Sequence, residues 1–338
     1  MLNDLDYNKS MQKIYKKIWE LAKPYYLKGR PMDIDHIEWM MKRVEEVCNF
    51  ERDIDETILM PLAILHDVGY AMIGNPKSID HYQKDVRRAH MSEGSKISNE
   101  ILNIIHYPQE KAKQIVRYVS IHDNWAFGEI EIYTIDKILG IFKDLDYLYI
   151  YTKVGFKSIQ KVINKNNEEM IFHLFEERTP IFNKKTFSSI YTQQLRKSYL
   201  NERVEDNKQS LIDMCKKSKI IKVIQKGAGF SIGLTEKNSD KYSVAYIYLT
   251  NARDPEGNHI VNELNSGFSA IYFIKKGSLN FNVYSANKVE KYILKEGKQI
   301  FFEAQERFDI KGTGEIMVMH MPAYSKSMYL KVPLLSSR

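Results

Sequence analysis

The sequence is poor in cysteine and contains no long apolar segment. Cys48 and Cys215 are the two cysteines in 338 residues, too few for a disulfide framework, and two reduced thiols are the simpler interpretation. No apolar run approaches the roughly 20 residues needed to span a bilayer. The first residues have neither the basic start nor the apolar core of a signal peptide. We therefore expect a cytoplasmic protein with no membrane partner.

A strong charge of one sign is also missing. The formal net charge is +7, and Lys and Arg alternate with Asp and Glu along most of the chain instead of collecting in a tail. No nucleic-acid-reading module is visible. A modest positive surplus suits phosphorylated molecules of several kinds. We expect a small phosphorylated molecule as the partner and disfavour nucleic acid.

The spacing of apolar residues changes along the chain. Up to about residue 203 they recur at helical spacing, as between Ile37 and Val47. From about residue 218, short runs rich in β-branched and aromatic residues follow one another between turns. The pattern predicts a multi-domain chain with an all-α bundle over 1–203, a linker over 204–216 and an all-β barrel over 217–338.

Several helical segments place an ionisable group on their apolar face. His36 begins the stripe that continues with Met40, and His122 continues the face of Val119. Burying this many ionisable groups without a metal would cost roughly several kcal/mol each. Imidazole and carboxylate are the ligands that divalent transition metals prefer. The sequence therefore predicts a metal centre made of His36, His66, Asp67, His90, His122 and Asp146.

The helical half resembles the HD superfamily of metal-dependent phosphohydrolases. The resemblance covers roughly residues 15–200 and rests on five strings in order: DHIE (35–38), AILHDVG (63–69), RAHMSEG (88–94), SIHD (120–123) and KDLDYL (143–148). It implies a first metal held by His36, His66, Asp67 and Asp146. It also implies a second metal on His90 and His122, with Asp67 as the bridge between the two metals.

The last ligand has two candidates in the sequence. The family string usually has alanine between two aspartates and a basic residue after the second, whereas Leu145 and Tyr147 occupy those places here. Helical spacing favours Asp146, because Asp144 lies about 200° around the helix from Phe142. We therefore expect Asp146 to be the ligand.

The resemblance implies a hydrolase that cleaves the phosphoester of a nucleotide or sugar phosphate with a metal-activated water. One or two divalent ions are expected, and Fe, Mn, Zn, Mg and Ni all suit the ligands. Asp67 would orient the water, while Arg88 and Lys143 either neutralise the substrate phosphate or are solvated cations. His81 and Asp123 are given no role. Two alternatives use the same fold: an HD-type di-iron oxygenase, and a ligand-sensing protein with an idle HD domain.

The β half resembles a cupin barrel in the strings IYFIKKGSL (271–279), LKEG (294–297) and IMVMHMPAY (316–324). Metal-binding cupins carry three histidines and a glutamate. The corresponding positions here hold Glu263, Asn265, Ala270 and Phe308. We expect this barrel to bind no metal. It would serve either as a packing module that can form a homodimer, or as a domain that senses or grips a small molecule.

Overall fold

A computed structural model describes residues 4–73, 83–175, 187–217, 220–227, 230–235, 242–250, 261–265, 269–285, 288–303, 306–321 and 329–331. His81 lies outside these residues. The chain divides into two compact units, the first made of Met1–Val162 and Glu177–Tyr199, the second of Ile163–Glu176 and Leu200–Arg338. No helix among the described residues is long and apolar enough to cross a membrane.

The first unit is helical, as predicted. Its α-helices are α1 (Asp4–Lys28), α2 (Asp33–Phe50), α3 (Glu56–Leu65), α4 (Lys84–Ile104), α5 (Gln109–Val119), α6 (Glu131–Ile135), α7 (Lys137–Leu148) and α8 (Lys153–Val162). Three 3-10 turns connect them, at Val68–Met72, Asn124–Phe127 and Tyr149–Tyr151. The described chain also forms α9 (Asn167–Phe175), α10 (Ile190–Asp206) and α11 (Lys208–Lys217).

Helix α3 is apolar on every side and lies in the core of the helical unit. All its residues from Ile58 to Leu65 are buried, as is typical of a helix surrounded by other helices. The helix begins at the Asp55 cap, whose carboxylate accepts a hydrogen bond from the Thr57 amide at 3.0 Å. Because the helix ends at Leu65, the following His66 and Asp67 emerge inside the protein.

The turn after Asp67 packs tightly against α4. A Cβ atom on Gly69 would collide with the carbonyl oxygen of His90 and the amide nitrogen of Gly94. Only glycine permits so close an approach of two backbones. The contact brings the end of α3 next to the histidine-bearing part of α4.

The second unit contains an antiparallel sheet in its strand region, which confirms the predicted all-β class of that half. The strands are β1 (Ile220–Gly227), β2 (Phe230–Thr235), β3 (Ser243–Thr250), β4 (Val261–Asn265), β5 (Ser269–Ser285), β6 (Lys288–Lys295), β7 (Gln299–Phe302), β8 (Arg307–Met321) and β9 (Tyr329–Lys331). The described order is β1-β2-β3-β8-β4-β9, and β5 pairs with β6, β7 and β8.

One face of this sheet carries an apolar cluster. The rings of Phe302 and Phe308 stack with centroids 3.8 Å apart. Tyr272 contacts both rings edge-on, and Ala270 is fully buried in the same cluster. Two of the four positions expected to hold cupin metal ligands are therefore occupied by apolar side chains in van der Waals packing.

The predicted linker, residues 204–216, is helical. It spans the end of α10 and nearly all of α11, and its apolar residues Val204, Leu211 and Cys215 are buried. The Tyr246 hydroxyl donates a hydrogen bond to the Cys215 carbonyl at 2.9 Å. The segment is rich in polar residues, which is why the sequence predicts a linker. Its residues Val204, Leu211 and Cys215 are nevertheless spaced seven and four residues apart, which is a helical pattern. The predicted domain boundaries themselves stay a prediction.

Candidate metal centre

The structure brings the six predicted ligand side chains together as two adjacent groups of three. In each group, one ligand atom per residue lies within 4.8 Å of the others. We call His36, His66 and Asp146 the first triad, and Asp67, His90 and His122 the second triad. The side chains come from α2, the end of α3, α4, the turn after α5, and α7.

The first triad is organised around one oxygen of Asp146. Its Oδ1 atom lies 3.3 Å from His36 Nε2 and 3.7 Å from His66 Nε2. His66 Nδ1 lies 3.0 Å from the Ala63 carbonyl oxygen. Because a carbonyl can only accept, Nδ1 must carry the proton, and the Nε2 lone pair of a neutral ring faces the centre. Asp144 does not lie in this group.

The second triad is organised around Asp67. Its Oδ1 atom lies 3.3 Å from His90 Nε2 and 3.4 Å from His122 Nε2, and the two Nε2 atoms are 3.2 Å apart. His122 Nδ1 donates to the Val119 carbonyl at 2.8 Å, which again directs the Nε2 lone pair inward. The other oxygen, Asp67 Oδ2, lies 3.5 Å from His66 Nε2. Asp67 therefore joins the two triads.

The donor atoms of the first triad fit a cation better than they fit each other. His36 Nε2 and His66 Nε2 are buried, and within the described residues neither has a hydrogen-bond partner. A buried polar atom left without a partner costs about 1–3 kcal/mol. A divalent ion coordinated by both nitrogens and by Asp146 would remove that cost.

The histidines are mostly in the neutral form that metal ions require. Burial lowers the pKa of His36 to about 3, and the charge of a protonated His66 nearby lowers it further. Burial also lowers the pKa of His66, to about 4. Burial also lowers the pKa of His90. For His122, burial is outweighed by Asp67, whose carboxylate accepts a hydrogen bond from a protonated Nε2, and the pKa of His122 is raised; a metal ion would take the place of that proton.

The two carboxylates have opposite shifts. Burial alone would raise the pKa of Asp67, but its histidine neighbours outweigh burial and hold that pKa well below the usual range. Burial and the nearby charge of Asp67 raise the pKa of Asp146 to about 8. A bound cation would oppose both causes and favour the ionised form of Asp146.

The two cations predicted to bind phosphate each contact another side chain. The Lys143 ammonium is buried and pairs with Asp144 Oδ1 at 2.9 Å. The Arg88 side chain is exposed, and its guanidinium lies 4.9 Å from the centroid of the Phe127 ring. The phosphate-binding role of both cations stays a prediction.

Two other arginines lie beside the centre. Arg30 has its Nη1 atom 3.9 Å from Asp67 Oδ2 and its Nε atom 2.9 Å from Asp33 Oδ2. Arg87 pairs with Asp123, the residue that follows His122. Sequence reasoning assigned no role to these residues. The one available signal was their position within six residues of a predicted ligand.

Comparisons with known proteins give little further guidance. No family model matches the sequence, and no curated protein matches it. Among solved structures, Streptomyces PAC13 with uridine, a nucleoside dehydratase, is 15% identical, with a TM-score of 0.28 over 36% of this chain and 90% of that chain. KdgF from Halomonas sp. is 8% identical, with a TM-score of 0.26 over 32% and 90%. An oxalate decarboxylase from B. subtilis is 9% identical, with a TM-score of 0.28 over 35% and 31%. Likeness at this level carries no argument about function.

Proposed function

We propose that the helical unit is an HD-type phosphohydrolase that uses one or two divalent metal ions and acts on a small phosphorylated substrate. The observation that carries the proposal is the convergence of four inward-facing imidazoles and two carboxylates on one buried spot. The same six residues form the ordered HD-like pattern of the sequence. We also propose a cytoplasmic location, which suits the two free cysteines, Cys48 and Cys215.

The two triads would divide the metal ligands between them. The first triad would hold one ion and the second triad the other, with Asp67 touching both because its two oxygens face different triads. When bound, such ions lower the pKa of a coordinated water and neutralise phosphoryl oxygens. The contribution of the protein is to keep the Nε2 lone pairs of His66 and His122 directed inward through their Nδ1 hydrogen bonds.

Substrate would reach the centre from the carboxylate side. The side chains of Asp146 and Asp67 are 21% and 12% exposed, whereas those of His66, His90 and His122 are almost completely buried. Asp67 is ionised at neutral pH, and its carboxylate can accept a hydrogen bond from a water that attacks the substrate, although its low pKa makes it a weak base. Asp67 is therefore the residue that would orient the attacking water.

We further propose that the strand region of the second unit is a cupin-like barrel that lacks the usual cupin metal. The support is the apolar packing of Ala270 and Phe308, neither of which offers a donor atom. The side chains of Glu263 and Asn265 lie outside the described part of the structure. A packing module that can form a homodimer fits these properties, as does a domain that grips a small ligand.

The test begins with elemental analysis of the full-length protein, followed by a screen for phosphate release from nucleotides and sugar phosphates. We expect one or two transition-metal ions per chain and a metal-dependent release of phosphate. Asp67→Ala should reduce activity to the background rate with an unchanged circular dichroism spectrum, and Glu100→Ala, which removes an exposed carboxylate of α4, should retain it.

Two results would contradict the proposal. Undiminished phosphate release by Asp67→Ala would exclude this centre as the source of hydrolysis. Iron-loaded protein that releases no phosphate but consumes dioxygen with an organic substrate would replace hydrolysis with the oxygenase alternative.

A further inference from the structure

Arg30 is held beside the centre by three contacts. It lies between α1 and α2, where its guanidinium covers the Tyr70 ring at 4.5 Å from the centroid. Its Nε atom pairs with Asp33 at 2.9 Å, and its Nη1 atom reaches to 3.9 Å from Asp67 Oδ2. The side chain nevertheless remains 20% exposed. A cation is therefore fixed in orientation at the edge of the site while part of it still faces solvent.

The contacts of Arg30 divide its guanidinium between two carboxylates at different distances. Asp33 is buried and pairs with the Nε side of the guanidinium, which leaves Nη1 as the guanidinium atom on the side of Asp67. The 3.9 Å separation from Asp67 exceeds hydrogen-bonding distance. Arg30 therefore does not use Asp67 as its main partner, and an oxygen that enters beside Asp67 would meet a guanidinium already oriented toward it.

The number of positively charged groups that could bind phosphoryl oxygens equals the number of nonbridging oxygens in one class of phosphate ester. If each triad holds an ion, two metal ions and the Arg30 guanidinium would lie next to Asp67, which gives three positions that would attract oxygen. A phosphomonoester has three nonbridging oxygens, whereas a phosphodiester has two. From this match we propose that Arg30 binds the third phosphoryl oxygen and makes the centre selective for phosphomonoesters. This inference rests on the proposed phosphohydrolase function.

The test uses three variants of the full-length, metal-loaded protein. Arg30→Gln removes the charge, and Arg30→Lys restores a charge without the planar guanidinium. Arg43→Gln is the matched control, because Arg43 is also largely buried, at 14% exposure, and pairs with an acidic residue, Glu46, at 2.6 Å. Elemental analysis of each variant establishes that metal content is unchanged before any binding is measured.

The first readout is the affinity for inorganic phosphate, which is measured by isothermal titration calorimetry. We expect Arg30→Gln to weaken phosphate binding about 10- to 100-fold, the range for a lost charge-assisted hydrogen bond. Arg30→Lys should recover part of the loss, and Arg43→Gln should bind phosphate like the wild type. Unchanged phosphate affinity in Arg30→Gln, at full metal content, would overturn the inference.

The second readout compares p-nitrophenyl phosphate with bis(p-nitrophenyl) phosphate, which share a leaving group. We expect the wild type to prefer the monoester and Arg30→Gln to lose activity mainly on the monoester. A wild type that prefers the diester, or an equal loss on both esters, would overturn the inference while leaving the proposed hydrolase function intact. A metal-loaded wild type that cleaves neither ester nor any compound in the substrate screen would instead contradict the proposed function.

Discussion

The ring of Tyr70 lies flat against the imidazole of His90, with centroids 4.1 Å apart and planes 7° apart. Tyr149 stacks on His36 in the same manner, at 4.5 Å and 24°. One histidine of each triad is thus held by an aromatic ring. The other histidine of each triad, His66 or His122, is held by an Nδ1 hydrogen bond to a backbone carbonyl. Residues that orient ligands in this way are typical of metal sites, where they tune affinity.

Replacing Tyr70 should therefore weaken metal binding by the second triad. We expect Tyr70→Ala to lower the affinity for one metal equivalent about 10- to 100-fold, the usual effect of losing a residue that orients a ligand. Tyr70→Phe keeps the ring and should keep most of the affinity. Competition titration with a metal chelator gives the measurement, and circular dichroism controls for folding. Equal affinity in the folded Ala variant would show that the stack does not position His90.

The two neighbouring aspartates of α7 should give opposite phenotypes. Asp146→Asn should reduce metal content, because the carboxylate lies between two imidazoles of the first triad. Asp144→Asn should retain metal but destabilise the fold, because Asp144 pairs with buried Lys143 and accepts a hydrogen bond from Thr192 Oγ1 at 2.9 Å. Breaking a buried ion pair costs about 3–5 kcal/mol.

Elemental analysis and urea unfolding of the two variants provide the measurements. We expect the metal content to fall in Asp146→Asn and the stability to fall in Asp144→Asn, so each variant is the control for the other. A loss of metal in Asp144→Asn together with full metal content in Asp146→Asn would reverse the assignment of the ligand.

The sequence predicts the six ligand positions because their chemistry and their helical register agree. A helix has about 3.6 residues per turn, so the inward face of each segment follows from its apolar residues. Asp146 could be separated from Asp144 on this basis alone. The contacts in the structure agree with this assignment. Asp146 faces the histidines, whereas Asp144 pairs with Lys143.

The cations around the centre could not be predicted in this way. Arg87 and Arg88 are adjacent and differ by about 100° around α4, yet one pairs with Asp123 and the other covers Phe127. Which of them faces the site depends on the neighbouring helices, and periodicity within one segment contains no information about those neighbours. Arg30 lies outside any helix, so no periodic pattern applies to it at all.

The strand region should contribute no metal site. A full-length variant with both triads disrupted, His66→Ala with His90→Ala, should contain no stoichiometric transition metal. The reason is that Ala270 and Phe308 lack donor atoms, and a transition-metal site normally needs three or four protein ligands. Elemental analysis after dialysis against excess metal and removal of the unbound ion is the measurement. About one retained equivalent that also persists when Asp67 and Asp146 are replaced by alanine would show that the cupin-like region has a metal site at other residues.

His320 of β8 should make the stability of the second unit depend on pH. Its side chain is buried between neighbouring strands, and burial lowers its pKa to about 4 from an ordinary value near 6.5. Between these two values the unfolded chain binds a proton that the folded chain does not. Stability is therefore complete above about pH 6.5 and is lost as the pH falls toward 4, by up to about 3 kcal/mol.

Replacing His320 with a residue that does not titrate should flatten this dependence. We expect His320→Gln to have a lower stability at neutral pH but a smaller decrease between pH 6.5 and 4 than the wild type. His106→Asn, at an exposed histidine of the helical unit, is the control and should leave the slope unchanged. All three tryptophans lie before residue 126. Tryptophan fluorescence therefore follows the helical unit, and urea unfolding of the second unit must be followed by circular dichroism. An identical pH slope in His320→Gln and the wild type would mean that the buried imidazole is not the group responsible.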